Sequence, residues 1–146
     1  MTKQQPNKIY FHFRFQPRLL KKRTPLKFFI ESIFKREKKK IQEINFVFCT
    51  NQQVLALNKK YLEHNYNTDI LTFNLSENNK PIVADIFISL EQVLKNAKNY
   101  NTSFNKEIHR VIFHGVLHLC GYNDKTLKEK QTIRLLENFY LNKYFA

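Results

Sequence analysis

The stretch most suited to chemistry is His114-Gly115-Val116-Leu117-His118-Leu119-Cys120-Gly121-Tyr122-Asn123-Asp124. Histidines four apart on a helix differ by about 40° in direction and about 6 Å in height. Their imidazoles can therefore meet at one ion, with zinc–nitrogen bonds of about 2.0–2.1 Å. Gly121 breaks the helix, and the reversed chain can return Asp124 to the same ion as an oxygen ligand. Three protein ligands with a fourth position open is the pattern of catalytic zinc sites rather than of closed structural ones. Nickel or another divalent ion suits the same nitrogen and oxygen set.

Each of these residues also has a plainer use. Two histidines at that spacing can be satisfied core residues. Asp124 can cap the next helix, and Gly121 can simply end this one. All four falling in register favours the metal reading. Cys120 lies about 200° round the helix from His118 and is expected in the core. Cys49 sits in a strand and reads as a small hydrophobe. His109 is about 140° from His114, and His12 and His64 are isolated, so none of the three joins the site.

The spacing also matches the ligand frame of metzincin proteases, H-x-x-x-H-x-x-G-x-x-[H/D]. Those enzymes place a glutamate directly after the first histidine as general base. Here that position is Gly115, so a peptidase would lack its proton acceptor.

Positioning these groups requires a helix, a break and a support. The helix is expected from about Phe104 to Cys120, ending at Gly121. Thr126-x-x-Glu129 is a capping box opening a last helix, with Ile133, Leu136, Phe139 and Tyr140 on its apolar side. Upstream, residues 8–15 alternate strictly, with Phe11, Phe13 and Phe15 facing one way, as a strand with one buried face does. Thr24-Pro25 reads as N-cap and first position of a helix to about Lys39, with Phe28, Phe29, Ile33 and Phe34 inward. Residues 43–50 form a strand. Residues 51–62 form a helix burying Val54, Leu55, Leu57 and Tyr61. A polar loop, Glu63–Thr68, follows. Strands at 69–75 and 81–89 make a hairpin across SENNK. Ser89-x-x-Gln92 opens a helix to about Tyr100. The order β-α-β-α-β-β-α-α-α describes one α+β domain over residues 1–146: a mostly four-stranded mixed sheet, about five helices and a zincin-like metal helix.

Composition narrows the class. The chain has 146 residues, 42% hydrophobic, with 14 Phe and only 2 Gly, which excludes collagen-like and disordered classes. Two cysteines make no disulfide framework. No apolar run is long enough to span a membrane. The first residues, MTKQQPNKIYFHFRF, show no apolar core followed by a cleavage site, so no secretory signal is expected and a cytoplasmic location is. Lys plus Arg is 25 against 12 Asp plus Glu, a formal charge of +13, which suits a polyanionic partner. Richness in Lys, Asn, Ile and Phe also fits an A/T-rich genome, which raises Lys without selection for binding. Of the two basic runs, Arg18–Lys27 and Lys35–Lys40, the second reads as a solvated helix end. Neither interleaves aromatics as a single-strand stacking groove does.

HGVLHLCGYND resembles the H-G-x-L-H-L-x-G-Y-D-H signature of the YbeY family of bacterial metal-dependent endoribonucleases. Asn58-x-x-Tyr61 with Thr68-Asp69-Ile70-Leu71-Thr72-Phe73 resembles that family's N-x-x-Y-R … P-T-D-V-L-S-F block. Ala84-Asp85-Ile86-Phe87-Ile88-Ser89 resembles its G-D-I-x-I-S strand. The resemblance covers most of the chain. It implies one zinc ion on His114, His118 and position 124, and single-stranded ribosomal RNA as substrate. It also implies a role in 3′-end maturation of small-subunit ribosomal RNA and in ribosome quality control, with ribosomal subunit proteins as further partners. Among its departures, Asp124 replaces the third histidine, Leu62 replaces an arginine, and Asn67 and Ala84 replace Pro and Gly.

The expected reaction is metal-assisted hydrolysis of RNA phosphodiesters, with surplus Lys and Arg holding the backbone. No general base stands out: Asp69, Asp85 and Glu107 are candidates, as proton acceptors or as partners of a ligand histidine. Arg110, four residues before His114, can meet a phosphate or a carboxylate. The alternative from another class is a ribosome-assembly or RNA-binding factor with a structural zinc that cuts nothing.

Overall fold

The computed structural model describes residues 8–15 and 19–146. Residues 1–7, on which part of the signal-sequence reading rests, and Arg18, the head of the first basic run, lie outside them. The elements are β1 (Ile9–Phe13), α1 (Arg23–Arg36), β2 (Ile41–Cys49), α2 (Asn51–Leu62), β3 (Ile70–Asn74), β4 (Ile82–Ser89), α3 (Leu90–Asn99), α4 (Phe104–Leu119) and α5 (Leu127–Phe145). The strands form one sheet in the order β1-β2-β4-β3. β1 and β4 each pair parallel with β2, and β3 pairs antiparallel with β4. This is the expected α+β arrangement, with a four-stranded mixed sheet and five helices among the described residues.

Period-two patterning decides what each face of the sheet meets. Ile9, Ile44, Phe46, Phe48, Ala84, Ile86 and Ile88 point to one side and pack on α1, α4 and α5 in the main core. The other side holds a smaller cluster of Cys49, Val54 and Leu71 under α2. Burying each such Ile or Phe stabilises the fold by about 1.5–3 kcal/mol, so the larger face dominates. α4 lies on this larger face, over β3 and β4. Gly115 makes that approach possible: a Cβ there would sit 2.8 Å from Ile70 Cδ1 and 3.3 Å from Ile86 Cγ2.

Several expected details are displaced. α1 begins at Arg23, with Lys22 in the left-handed region at the N-cap position and no side-chain cap, so Thr24 is helical and does not cap. Its inward residues are Leu26, Ile30, Ile33 and Phe34; Phe28 is exposed and Phe29 half-buried. The inward stripe is therefore rotated from Phe28 onto Leu26 and Ile30. In α2 the buried residues are Val54 and Asn58, while Tyr61 is exposed and Leu55 and Leu57 are half-buried. Asn58 occupies a core-facing position because its Nδ2 donates to the Tyr66 carbonyl at 3.0 Å, holding the loop that leads into β3. In α5, Phe139 is exposed and Glu137 takes a buried place between Ile133 and Tyr140.

Glu37, at the C-cap of α1, ties three distant segments. Its carboxylate accepts from Tyr122 Oη at 3.0 Å and from Tyr140 Oη at 2.9 Å. The first bond anchors the loop after α4, and the second anchors α5. Burial first, then the Glu37 contact, pushes both phenol pKa values up. Glu37→Ala strands the buried Tyr140 hydroxyl and should destabilise the fold by about 1–3 kcal/mol. A lowered urea midpoint checks this, and Glu37→Gln, which keeps an acceptor, should lose less.

Candidate metal centre

The last turn of α4 and the chain reversal after it build the site. Helix α4 starts on Ser103, whose side chain accepts from Lys106 N. It ends in a Schellman motif: Gly121 N donates to the His118 carbonyl at 3.0 Å and Tyr122 N to the Leu117 carbonyl at 3.1 Å. Gly121 adopts φ +104, the conformation that favours glycine. The chain turns back over the last turns of the helix, and Asp124 lands against both histidines. The cap of α5 is Thr126, in a reciprocal capping box with Glu129, so Asp124 is not used as a cap.

His114, His118 and Asp124 come together. His114 Nε2 and His118 Nε2 are 2.9 Å apart. Asp124 Oδ2 lies 3.3 Å from the first and 3.4 Å from the second. A tetrahedral ion with bonds of about 2.05 Å has ligand-to-ligand edges of about 3.3 Å. The three atoms therefore have the dimensions of one face of such a tetrahedron. His114 and His118 are about one-quarter exposed and Asp124 more so, which leaves the outer side open to solvent. The donor set, two imidazole nitrogens and one carboxylate oxygen, fits zinc and similar divalent ions.

Glu137, which the sequence reading missed, orients the first histidine. Its buried Oε2 accepts from His114 Nδ1–H at 2.6 Å, which fixes the tautomer and turns the Nε2 lone pair to the triangle. Burial opposes a charge on His114. The Glu137 hydrogen bond and the charges of Glu137, Asp124 and Asp69 outweigh it and raise the pKa. Arg110 Nη1 sits 3.3 Å from Glu137 Oε1 and 3.0 Å from Asn138 Oδ1, and its Nε is 3.7 Å from Glu107. Arg110 is thus committed to carboxylates. The signal for Glu137 was present: an acidic residue interrupts the apolar stripe at Ile133+4.

The ligand wall opens on a cleft of about 850 Å³ lined by Asp69, Glu107, Arg134 and others. Asp69 Oδ2 accepts from Asn96 Nδ2 at 3.0 Å, and burial pushes its pKa up despite His114 nearby. Burial likewise raises Glu107, against the pull of Arg110. Asp85 is elsewhere. It projects from the opposite face of the sheet to Ile86, where Asn45 Nδ2 donates to it at 3.3 Å. His109 is buried, with Nδ1–H donating to the Asn105 carbonyl at 2.6 Å. His12 pairs with Asn45 and His64 with Tyr66. Cys120 is buried beside the core, with its thiol pushed up to about 12.

A family model described as Endoribonuclease YbeY matches residues 19–145. An Endoribonuclease YbeY of Cytophaga hutchinsonii is 42% identical over 123 residues, 84% of this chain and 86% of that one. One of Parabacteroides distasonis is 44% identical over 109 residues, 75% of this chain and 76% of that one. The solution structure of TM1509 from Thermotoga maritima superposes with a TM-score of 0.67 at 27% identity, over 94% of this chain and 89% of that one. The fold and its metal-ready helix end thus have a known setting: the chain belongs to the YbeY endoribonuclease family.

Removing the charge of Glu137 should loosen the grip on an ion. Glu137→Gln is expected to weaken zinc affinity about 10- to 100-fold in chelator competition. Affinity should also depend on pH. In the metal-free protein, the proton on His114 adds stability that is complete below the ordinary imidazole value of 6.5 and is lost as pH rises through the raised value. An ion must displace that proton, so zinc affinity should climb across that window and level off above it. The same competition repeated from about pH 5 to 8 checks the direction.

Proposed function

We propose that this protein is a zinc-dependent endoribonuclease that hydrolyses phosphodiesters of single-stranded RNA. The observation that carries the reading is the triangle of His114 Nε2, His118 Nε2 and Asp124 Oδ2, with edges of 2.9, 3.3 and 3.4 Å, of which His114 and Asp124 line a cleft. These three residues would hold one zinc ion, a zincin-like use of α4. When bound, zinc supplies Lewis acidity, lowering the pKa of water toward about 7 and polarising a phosphoryl oxygen.

The protein's own groups do the rest. Glu137 keeps His114 in the tautomer that presents Nε2. Asp69 serves as the proton acceptor: Asn96 holds one of its oxygens, and burial raises its pKa above the usual carboxylate value, which makes it a better base. It accepts a proton of the water that attacks phosphorus as the bond to the departing ribose oxygen breaks. Lys130 and Arg134, on the α5 wall of the cleft, bind the flanking phosphates. Leu62 stands exposed at the end of α2, outside the cleft lining, and offers no phosphate contact.

Peptide hydrolysis is disfavoured by the packing of Gly115. A glutamate there would collide with Ile70 and Ile86 from its Cβ onward. Among the described residues no helix is long and apolar enough to cross a membrane. The physiological substrate we propose is the 3′ end of small-subunit ribosomal RNA in the cytoplasm, with ribosomal subunit proteins as partners in ribosome quality control.

Cleavage of single-stranded RNA by zinc-loaded protein should stop with chelator and in His114→Ala. Asp69→Asn should keep its zinc and lose about 10²–10⁴-fold in kcat. RNA binding with no metal-dependent cutting by zinc-loaded wild type would instead establish the assembly-factor alternative.

A further inference from the structure

One aromatic ring in the cleft has no structural use. Tyr100, at the C-terminal end of α3, lines the same cleft as His114 and Asp124. It is 62% exposed. Among the described residues no ring stacks on it and no group bonds its hydroxyl. The exposed Tyr61 and Tyr66 differ, since each meets a ring partner, Phe73 at 5.9 Å and His64 at 5.1 Å. The backbone of Tyr100 is nonetheless held. Its N–H donates to the Asn96 carbonyl at 2.9 Å, and the Asn96 side chain is fixed by Asp69 and Gln92.

The cleft thus combines four features. It has the ligand triangle on one side and a flat unpartnered ring at the end of α3. It has cationic side chains on the α5 wall, Lys130 and an Arg134 that is about half exposed with Nη1 3.6 Å from Glu137 Oε1, and about 850 Å³ of space between. Pockets of about 300–1,000 Å³ hold ligands of nucleotide size. Single-stranded nucleic acid is bound by this pairing of aromatic stacking faces with cations that track phosphates.

We infer that the cleft takes one unpaired nucleotide beside the phosphate to be cut, with its base stacked on Tyr100 and its phosphate toward Arg134 and Lys130. The inference rests on the RNA reading above and deepens it, since it names the residue that selects an unpaired base. A base inside a duplex has both faces covered and cannot present one to Tyr100. Stacking accepts any base, so the site demands single-strandedness and only weakly prefers a sequence.

Binding measured with chelator present separates this claim from cleavage. The probes are a short oligoadenylate and the same backbone with abasic residues. Tyr100→Ala should weaken oligoadenylate binding about 10- to 100-fold, while Tyr100→Phe stays within about threefold of wild type. Both variants should bind the abasic backbone as wild type does, with unchanged melting temperatures. The inference is overturned if wild type binds the two probes equally, which needs no variant at all. Unchanged oligoadenylate binding by Tyr100→Ala, or an equal loss on both probes, overturns it too. Selective binding by a wild type that cuts nothing would sink the cleavage reading and leave this site standing.

Discussion

Three electron-rich atoms within 3.4 Å of one another set the terms for the rest of the molecule. Glu137 takes the Nδ1–H of His114, so the Nε2 of neutral His114 has only a lone pair to offer. One proton on His118 Nε2 can bridge one gap. It leaves Asp124 Oδ2 facing His114 Nε2 at 3.3 Å, lone pair to lone pair. A second proton on His114 also relieves this: against burial, the Glu137 hydrogen bond first, then the charges of Glu137, Asp124 and Asp69, favour it enough to raise the His114 pKa. A divalent cation relieves it better, because one charge serves all three atoms. The site gathers three electron-rich atoms where one positive charge can serve them all.

The fold holds those atoms together by constraints that reach across the whole chain. The Schellman turn at Gly121 sends the loop back, and Glu37 pins that loop through Tyr122 while pinning α5 through Tyr140. Helix α5 then delivers Glu137 to His114. On the other side of α4, Gly115 lets the helix settle onto Ile70 and Ile86, so the histidines stand at the sheet's β3 margin, next to Asp69. The residue that removes protease chemistry is therefore the one that allows the helix to sit where it does. Charge is distributed to match: Arg110 offsets Glu107 and Glu137, while the half-exposed Arg134 reaches Glu137 at 3.6 Å.

Much of this was legible beforehand. The element order, the hairpin, the break at Gly121 and the convergence of His114, His118 and Asp124 all follow from local rules of period and capping. What the sequence hid was long-range. Glu137 lies 23 residues from His114, and no helical period relates a residue of α5 to one of α4. Asp85 and Asp69 look alike as strand carboxylates; only the register of β3 on β4 and the side on which α4 packs send one to the cleft and the other to the far face. Phe28, Tyr61 and Phe139 were misjudged because hydrophobicity marks an apolar side chain without saying which stripe of an aromatic-rich helix faces inward. The burial of Asn58 and Glu137 was not foreseen either, since each polar side chain is buried against partners outside its own helix, Asn58 against the Tyr66 carbonyl and Glu137 against His114 and Arg110.

The central claim is that two imidazoles and one carboxylate grip one ion. X-ray absorption on zinc-reconstituted protein tests it most directly. The account predicts one zinc per chain, with two imidazole nitrogens at about 2.0–2.1 Å, oxygen completing the shell and no sulfur. A shell containing sulfur, a single imidazole, or no zinc retained at one per chain would contradict it.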